Sequence, residues 1–579
     1  MYTLGINAAY HDPAACLVAD GRVVAAAEEE RFTHIKHGKR PVPFSTWELP
    51  FHAIDYCLRA AGIELTDVDH VAYSYDPYLL IGRHRDAATI ELPMRPAEAT
   101  ATEWESPWDP LFLASMVNAP GQLVDGAPHH LRERFRGAKV AGFRWHYVAH
   151  HLAHAASAFH ASPFRRAAVL TLDGRGEKAT TGYAIGDGND LEWLGQVHVP
   201  HSLGILYEQV TDYLGFLHSS DEYKVMALAS YGRPRFADEF RGMIHVGRDG
   251  QYTIDPPRLE ERFGPARLRG GTLEERHFDL AHSLQVVLEE TVIELAHWLR
   301  GTSRCEDLCM AGGVALNCVM NARLRDRGPF RRIWVQPAAG DAGTALGAAI
   351  WIHARERPEA GRDYVMEHAY LGPEFAADEI EDFLRWTAVP YRRLADIAAE
   401  TAEILARDKV IGWFQGRMEF GPRALGARSI LASPIHAEMQ ARLNEIKDRE
   451  DFRPVAPVVL EEAAADWFVG AGAGDDASPF MLFVHDVRPE KADLIPAVRH
   501  VDGTARIQTV NRSQNPLYHD LLKAFRDRTG VPVLVNTSFN TRGEPIVCTP
   551  RDAVESFWTS PLDALVIGPF LLEKPATSG

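Results

Sequence analysis

Short apolar segments separated by polar turns open the chain. The segments "YTLGINAA", "HDPAACLVA" and "RVVAAAEEE" predict three strands, and Asp20-Gly21 before the third predicts a tight hairpin turn. The same order returns from residue 168, as a strand "AVLTLDG", a polar loop "RGEKAT", a strand "TGYAIG", a turn "DGND" and a strand "LEWLGQVHV". The pattern therefore predicts two α/β halves built on one plan.

Two such halves are the plan of actin-like ATPases and sugar kinases, in which the loops face the phosphates of a nucleotide. Further along, a helical pattern runs from residue 279 to Gly301. A strand, a Gly-rich loop and a helix follow at 308–320 and again at 333–350. Each of these loops would present backbone amides at a helix start, where phosphate or ribose is commonly bound.

A change of composition at 354–366 predicts an inter-domain linker, because a separate pattern of strands and loops follows it. We therefore expect one domain over residues 1–360 and a second over 370–579. Residues 80–140 are rich in Pro and Ala with few strand signals, which predicts an insertion in the first domain.

Composition narrows the class of protein. The 579 residues are 46% hydrophobic and 24% charged, typical of a soluble protein with more than one domain. A formal net charge of −18 argues against a nucleic-acid partner, since nucleic acid is bound by basic surfaces. The six cysteines form no Cys-x-x-Cys pair, which excludes a disulfide framework and a thiolate zinc pattern. No apolar run reaches about 18 residues and the N-terminus lacks a basic flank, so we expect a cytoplasmic protein without a membrane partner.

Histidines give the first candidate chemistry. In "VAHHLAHAASAF", His150 and His154 stand one helical turn apart, so they could bind a metal or lie in the core of the protein. Asp173 ends a buried strand, and Asp341 sits in "AAGDAGTALG", where it could equally be a helix N-cap. Two imidazoles and two carboxylates would suit iron, manganese or zinc rather than calcium.

Positive charge gathers in short motifs of the C-terminal region. Guanidinium groups with hydroxyl and amide donors at strand ends suit a small, doubly charged phosphate ligand. The alternative is a solvated surface with ion pairs to Asp448, Glu450 and Asp451. The residues concerned are Arg423 and Arg428 in "FGPRALGARS", Lys447, Arg449 and Arg453 in "IKDREDFR", Arg506 in "GTARIQ", and Ser538 and Asn540 in "LVNTSFN".

Nine motifs in order carry a family resemblance. They are "HDPAACLVADGRVVAAAEEERFTHIKHG", "HHLAHAASAF", "LDGRGEKATT", "DEYKVMALASYG", "CMAGGVALNCVMNARL", "GDAGTALGAA", "FGPRALGARSILASP", "REDFRPVAPVVL" and "VNTSFNTRGEPIVCTPRDAVESF". From the first strand to about residue 570 the chain resembles the O-carbamoyltransferases of natural-product biosynthesis, whose members act on aminoglycosides, cephems, ansamycins and nodulation factors. The resemblance implies a Kae1-like, actin-like N-terminal domain with iron and an α+β, YrdC-like C-terminal domain.

The resemblance also implies roles for single residues. The metal ligands would be His150, His154, Asp173 and Asp341, with His151 pointing away from the ion. Lys36, Gly312, Gly313 and Asn317 would hold the nucleotide part of an intermediate, and His11 would lie near the acceptor. Lys447 and Arg449, with Ser538 and Asn540, would form the YrdC-like motifs, and Arg423, Arg453 and Arg506 would complete a site for carbamoyl phosphate and ATP.

One residue departs from the family pattern, since "DGRGE" carries Arg175 where a smaller side chain is expected. This leaves the shape of the acceptor pocket open. Arg428 lies outside the matched motifs, and we expect its removal to matter much less for phosphate binding.

The expected function is ATP-dependent O-carbamoylation. Carbamoyl phosphate and ATP, with Mg²⁺, would give carbamoyladenylate in the C-terminal domain, and the carbamoyl group would pass to a hydroxyl at an Fe²⁺ or other divalent metal site in the N-terminal domain. His11, Asp221 and Glu222 are candidate general bases. The expected partners are small molecules and a second copy in a homodimer. Two alternatives are a tRNA threonylcarbamoyl-type synthase and a non-catalytic actin-like ATP-binding protein.

Overall fold

The structure, a computed structural model, describes residues 1–39, 48–81, 109–126, 133–541 and 543–574. Much of the insertion predicted at 80–140 lies outside these ranges. The chain packs into two compact units and passes between them several times. Met1–Ile205, Leu299–Leu316 and Ile333–Met366 contribute to the first unit, and Leu206–Trp298, Asn317–Arg332 and Glu367–Gly579 to the second. The last crossing, at residues 366–367, falls within the predicted boundary at 360–370.

Two five-stranded sheets form the framework of the first unit, in the orders β3-β2-β1-β4-β5 and β12-β11-β6-β7-β8. The strands are β1 (Tyr2–Asn7), β2 (Ala14–Ala19), β3 (Arg22–Glu28), β4 (His70–Tyr73), β5 (Arg144–Tyr147), β6 (Arg166–Leu172), β7 (Ala179–Asp187), β8 (Asp190–His198), β9 (Ile244–Val246), β10 (Tyr252–Ile254), β11 (Asp307–Ala311) and β12 (Arg332–Val335). The short strands β9 and β10 pair with each other in the second unit.

The two sheets repeat one topology. In each, three antiparallel strands form a meander, and the first of the three, β1 or β6, also pairs in parallel with a later strand, β4 or β11. The predicted hairpin turn is present, with φ of 46° at Asp20 and 82° at Gly21, a conformation that Asp-Gly readily adopts. The internal repeat predicted from the sequence is confirmed, and the fold is mixed α/β.

The helices before residue 360 are α1 (Glu30–Thr33), α2 (Phe51–Ala61), α3 (Tyr78–Ile81), α4 (Asp109–Val117), α5 (Ala119–Asp125), α6 (His150–Phe159), α7 (Leu203–Tyr213), α8 (Glu222–Ala229), α9 (Ala237–Arg241), α10 (Leu259–Phe263), α11 (Glu275–Ser303), α12 (Cys318–Arg327) and α13 (Ala342–Glu356). Of these helices, α1–α6 and α13 lie in the first unit, α8–α10 and α12 in the second, and α7 and α11 contribute residues to both. The helix predicted from residue 314 is divided: a 3₁₀ turn spans Gly313–Leu316, and α12 begins after it because the Asn317 side chain accepts the Met320 amide as an N-cap.

Helices α6 and α13 approach each other more closely than most helix pairs because small residues line their contact. A Cβ placed on Gly347 of α13 would lie 1.8 Å from the carbonyl oxygen of Ala153 in α6. The opposite side of α13 meets β1 in the same way, since a Cβ on Gly5 would lie 1.9 Å from the Ala345 carbonyl oxygen. Helix α13 is therefore held between a strand and a helix without room for one more carbon atom at either contact.

The second unit contains an eight-stranded mixed sheet in the order β13-β22-β21-β14-β15-β20-β16-β19, with buried side chains on its helix-covered surfaces. Its elements after residue 366 are α14 (Ala377–Thr387), β13 (Arg392–Arg393), α15 (Ile397–Leu405), β14 (Ile411–Phe414), β15 (Arg428–Ala432), α16 (Glu438–Ile446), β16 (Ala456–Leu460), α17 (Ala464–Trp467), β17 (Val484–Asp486), β18 (Thr504–Arg506), β19 (Gln508–Val510), α18 (Pro516–Thr529), β20 (Val533–Ser538), α19 (Pro550–Thr559), β21 (Ala564–Ile567) and β22 (Phe570–Glu573). Among the described residues, no helix has both the length and the apolar character that crossing a membrane requires.

The contact between α6 and α13 can be tested with a single methyl group. We expect Gly347→Ala to lower the free energy of unfolding by about 2–4 kcal/mol, because the added carbon would overlap the Ala153 carbonyl and the Ser157 amide nitrogen, 2.7 Å away. Denaturant unfolding of the purified protein measures this change.

Gly301→Ala is the matched control. Gly301 is exposed within α11 and a Cβ there would meet no atom within 4 Å, so alanine should stabilise the helix by about 0.5–1 kcal/mol. Equal effects of the two substitutions would show that α6 and α13 are not in tight contact in solution.

Candidate metal centre and anion site

Four buried side chains meet where two helices of the first unit begin. His150 opens α6 and His154 lies one turn later, so both imidazoles lie on one face of that helix. Asp173 directly follows β6, and Asp341 directly precedes α13. One ligand atom from each of the four residues lies within 4.8 Å of the others. The structure therefore brings together the complete set of predicted metal ligands.

The distances within this cluster are short. The Nε2 atoms of His150 and His154 are 3.1 Å apart. His150 Nε2 lies 3.5 Å from Asp173 Oδ2 and 3.4 Å from Asp341 Oδ1. His154 Nε2 lies 3.9 Å and 3.6 Å from the same two oxygens. Four ligand atoms at such separations surround a volume suited to one ion.

Electrostatics favour positive charge at this point. Burial lowers the pKa of His150, but the carboxylates of Asp341 and Asp173 together raise it well above its usual range. Burial and the neighbouring Asp341 raise the pKa of Asp173. The imidazoles of His150 and His154 lower it by more, so that its pKa falls to about 2. Two ionised carboxylates buried together need a cation, which a divalent metal would supply.

Two further observations test whether the residues fit a metal. Asp341 occupies the N-cap position of α13, yet its side chain makes no capping bond, and its buried Oδ1 accepts no hydrogen bond from the residues that the structure describes. His150 Nδ1 lies 3.2 Å from the Ser74 carbonyl oxygen, so in the neutral tautomer that donates there, the Nε2 lone pair faces the cluster. Of the two alternatives considered for Asp341, a side-chain cap is therefore not formed, and the carboxylate lies in the cluster.

Glu177 supports the cluster and was missed by sequence reasoning. Its carboxylate accepts the backbone amides of His150, at 2.9 Å, and Asp76, at 2.7 Å. Ala149 is the N-cap residue of α6 and has no side-chain capping group, so Glu177 supplies the missing acceptor from a distant loop. An unfavourable N-cap residue was the only sequence signal for this contact.

His151 points away from the cluster, as expected. Its Nδ1 lies 2.7 Å from the Thr171 hydroxyl, and burial lowers its pKa to about 3, which keeps the imidazole neutral. This histidine belongs to the core of the first unit.

His11 lies beside the cluster, in the loop that follows β1. Its Nδ1 is 3.6 Å from Asp341 Oδ2 and 3.0 Å from Asp12 Oδ2. Burial lowers the pKa of His11, but Asp341 and Asp12 raise it to about 9. Asp12 Oδ1 also lies 2.8 Å from His37 Nδ1, in the short turn Lys36–Gly38 that contains the predicted nucleotide contact Lys36.

Arg175 lies at the edge of the His-Asp cluster, two residues after Asp173. Its guanidinium carbon lies 4.9 Å from the centre of the Tyr10 ring, and it pairs with Asp109 at 3.7 Å. The Tyr10 hydroxyl is 3.0 Å from that of Tyr75, whose ring is 6.4 Å from the His150 ring. The unexpected arginine is therefore held by residues next to the metal cluster.

The predicted nucleotide loop has clear structural contacts. Gly312 adopts φ of 98°, and a Cβ there would lie 2.1 Å from the Leu172 carbonyl oxygen, so no other residue fits. The Gly313 amide donates to Asp173 Oδ1 at 2.8 Å and orients that carboxylate. Asn317 caps α12 and exchanges hydrogen bonds with the Gln285 amide.

The two acidic candidates for general base lie in the second unit. Asp221 accepts the Leu217 amide at 3.1 Å and pairs with Lys224 at 3.2 Å. Glu222 accepts the Ser219 amide at 2.6 Å. Each carboxylate therefore has a hydrogen-bond or ion-pair partner within its own unit.

In the second unit, the two predicted YrdC-like motifs, Lys447-x-Arg449 and Ser538-x-Asn540, are in contact through Lys447. Lys447, which is buried, donates to the Ser538 hydroxyl at 3.2 Å and to the Asn540 side-chain oxygen at 2.7 Å and backbone oxygen at 2.9 Å. The Ser538 hydroxyl also donates to Asn540 Oδ1 at 2.6 Å. The ammonium group therefore organises the loop after β20.

Arginines predicted for phosphate binding lie close enough to repel one another. Burial, followed by the charge of Arg506, lowers the pKa of Arg423 to about 9. Burial, followed by Arg453 and Arg506, lowers that of Arg449 to the same value. Arg506 has a buried Nε with no hydrogen-bond acceptor among the described residues. Guanidinium groups gathered at partly buried positions are costly, and an anion would relieve that cost.

Tyr223 and Lys224, which the sequence did not single out, border these arginines. The Arg453 guanidinium stacks 4.7 Å from the centre of the Tyr223 ring. Glu450 pairs with Lys224 at 2.9 Å and with Arg453 at 3.6 Å. Of the ion pairs considered for a solvated surface, the one at Glu450 is present, with Lys224 and Arg453 as its partners.

Arg428 has a structural role that the sequence did not reveal. Its guanidinium is fully buried, donates to the carbonyl oxygens of Gln415, Gly416 and Pro373, and lies 3.7 Å from the centre of the Phe414 ring. Its removal would take a buried donor from all three carbonyl oxygens, of which that of Pro373 would keep the Met418 amide, so we expect a loss of stability. Arg428→Ala is therefore unsuitable as a mild control for phosphate binding.

Comparison with known proteins matches most of the chain to one family. The family model described as "Carbamoyltransferase N-terminus" matches residues 2–90 and 144–350, and "Carbamoyltransferase C-terminus" matches 402–574. The nodulation protein NolNO of Sinorhizobium fredii is 40% identical, over 99% of this chain and 80% of its own length. The 3'-hydroxymethylcephem-O-carbamoyltransferase of Amycolatopsis lactamdurans is 36% identical, over 60% of this chain and 64% of its own length.

The similar solved structures are more distant. Full-length HypF in its phosphate- and nucleotide-bound form is 13% identical with a TM-score of 0.33, over 61% of this chain and 55% of that one. A similarity of this size does not extend to function. The family models cover more than half of the chain in order, and it belongs to the carbamoyltransferase family of transferase enzymes.

Proposed function

We propose that this protein is an ATP-dependent O-carbamoyltransferase that works in two half-reactions. In the first, water cleaves carbamoyl phosphate to carbamate and phosphate, and a carbamate oxygen attacks the α-phosphorus of ATP, releasing pyrophosphate and forming carbamoyladenylate. In the second, an acceptor hydroxyl attacks the carbamoyl carbon, AMP leaves, and the hydroxyl proton passes to a base. The acceptor would be a hydroxylated natural product or sugar.

The arginine cluster of the second unit is the observation that carries this proposal. Arg423 and Arg449 have a pKa lowered to about 9 by burial and by neighbouring arginines, so the site favours a bound anion. Carbamoyl phosphate and ATP with Mg²⁺ supply such anions, and guanidinium groups would stabilise charge on their oxygens during transfer. The YrdC-like motif, in which Lys447 holds Ser538 and Asn540, would form the other wall.

The cluster of the first unit would serve the transfer step. His150, His154, Asp173 and Asp341 would hold a divalent ion, Fe²⁺ or a related metal, which when bound supplies a Lewis acid for the adenylate phosphate and the carbamoyl oxygen. His11, 3.6 Å from Asp341, is the candidate to receive the acceptor proton, and Asp12 orients its imidazole. Burial lowers the pKa of His11, but Asp341 and Asp12 raise it to about 9, and a divalent ion bound at Asp341 would lower that pKa again, as a proton acceptor requires. Gly313 fixes Asp173, and Lys36 would contact the nucleotide part of the adenylate.

Metal content tests the first cluster. We expect His150→Ala and His154→Ala each to lose one equivalent of bound metal relative to the unmodified protein, because each removes one of four ligand side chains. Elemental analysis of protein purified without oxygen measures the loss, and circular dichroism monitors the fold.

His151→Gln is the matched control, since it removes an imidazole from the same helix and keeps an amide that can contact the Thr171 hydroxyl. It should retain the metal. Full metal content in both the His150 and the His154 variants would refute the assignment. The two histidines would then be packing residues of the protein core.

Kinetics of pyrophosphate release test the arginine cluster. We expect Arg449→Gln and Arg506→Gln each to lower kcat/KM for carbamoyl phosphate by about a hundredfold or more, because each removes a charge from a largely desolvated anion site. Inorganic pyrophosphate should also raise the Tm of the unmodified protein more than that of either variant.

The control is Arg551→Gln, in which an exposed arginine loses its pairing with Glu555. It should change kcat/KM by less than about twofold. Equally small effects at all three positions would mean that the cluster is an ordinary solvated surface.

Rescue by a premade intermediate tests the division of labour. Ser538→Ala should release no pyrophosphate from ATP and carbamoyl phosphate, yet carbamoylate an acceptor when given carbamoyladenylate. His150→Ala should release pyrophosphate and form no product under either condition. The reason is that charge develops at different places in the two steps, so each needs its own preorganised groups.

Ser513→Ala, an exposed serine in the same unit, is the control and should behave as the unmodified protein. A Ser538 variant that binds carbamoyladenylate without transferring it would favour one composite site. Product at the native rate from His150→Ala would make the His-Asp cluster structural.

A further inference from the structure

A second group of metal-ligating side chains lies in the first unit, apart from the cluster described above. His70 Nδ1 is 3.0 Å from His146 Nε2, and Glu356 contributes a carboxylate oxygen. One ligand atom from each of the three residues lies within 4.8 Å of the other two. His70 is buried, and His146 and Glu356 are partly exposed, so an ion could enter from solvent.

The fold brings these residues together from three elements. In the parallel pair β4–β5, His70 lies opposite Arg144 and Ala72 opposite His146, so all four side chains point to one face of the sheet. Ala72 packs with Ala348 and Ile352 of α13 on that face. Glu356 is the last residue of α13 and therefore reaches the two imidazoles.

This group lies at the opposite end of β4 from the first cluster. His70 begins the strand, whereas Ser74, whose carbonyl receives His150 Nδ1, follows its last residue. Four residues of extended chain span about 13 Å, which is too far for the two groups to share an ion.

The chemistry of the three side chains suits a metal. Burial and the neighbouring His70 lower the pKa of His146, which favours its neutral imidazole. The Glu356 carboxylate is 3.1 Å from Arg144 Nη1. Two imidazoles and one carboxylate form the donor set that binds Zn²⁺ with a fourth position left to water.

We propose that His70, His146 and Glu356 form a second metal site that binds Zn²⁺. Ligand atoms around a tetrahedral zinc ion lie about 3.3 Å apart, so the imidazole nitrogens need little movement to share one ion. The ion would link β4 and β5 to the C-terminal end of α13, the helix whose other end carries Asp341. The competing explanation is a hydrogen bond between the imidazoles beside a Glu356–Arg144 ion pair, which would need no metal.

Zinc binding to a protein without the first cluster distinguishes these explanations. The double variant His150→Ala/His154→Ala, stripped with a chelator, should bind one equivalent of Zn²⁺ in equilibrium dialysis, and Zn²⁺ should raise its Tm. Adding His146→Asn should abolish the binding and the Tm shift. Adding His245→Asn, which removes an exposed imidazole paired with Asp255, should change neither the zinc binding nor the Tm shift.

Glu356→Gln covers the case in which the His146 variant fails to fold. Glutamine can still accept a hydrogen bond from Arg144, but it is a poor zinc ligand, so the Kd for Zn²⁺ should rise by about tenfold or more. A visible spectrum of the Co²⁺-substituted protein would report nitrogen ligation directly. Zinc binding that survives both substitutions, or no binding by the double variant, would overturn the proposal in favour of the hydrogen bond.

Discussion

The close contact between α6 and α13 is the constraint on which the metal cluster depends. Gly347 meets the Ala153 carbonyl and Gly5 meets the Ala345 carbonyl, so α13 has one position between its two neighbours. Both helices position side chains of the cluster near their N-terminal ends. His150 and His154 lie in α6, and Asp341 directly precedes α13. A shift of either helix by a fraction of an ångström would separate groups that now lie within 3.6 Å of each other. Packing of small residues thus determines the geometry of charged ones.

Both candidate sites concentrate charge of one sign where burial opposes it. In the first unit, two carboxylates meet two imidazoles, and the pKa of His150 rises because negative charge exceeds positive. In the second unit, arginines lower the pKa of one another because positive charge dominates. Such arrangements cost folding free energy and are expected where a ligand of opposite charge completes the site. Burial of apolar side chains in the large cores of the protein must offset that cost.

Local patterns predicted local features well. The Asp20-Gly21 turn, the duplicated strand order and the pairing of His150 with His154 on one helix face could be predicted because hairpin chemistry and residue spacing are local signals. The family resemblance, not a local signal, implied that Asp173 and Asp341 join these histidines. Contacts between distant segments could not be predicted in this way. Glu177 caps α6 from a loop 27 residues away. Arg428 donates to backbone carbonyls of its own unit, although its sequence context resembles that of the arginines predicted to bind phosphate. The YrdC-like assignment of the C-terminal region stays a prediction.

The repeated crossing of the chain between the two units has a consequence for how the gene can be divided. A fragment that begins after the linker at 354–366 would lack residues 206–298 and 317–332, which pack with the C-terminal unit. Val484 would then lose its apolar neighbours Cys318 and Ala322, and Arg453 would lose the ring of Tyr223. Recombination between relatives at that linker would therefore combine parts of two cores that evolved separately. Exchange of acceptor specificity within such proteins is better sought by transplanting surface loops than by joining whole halves.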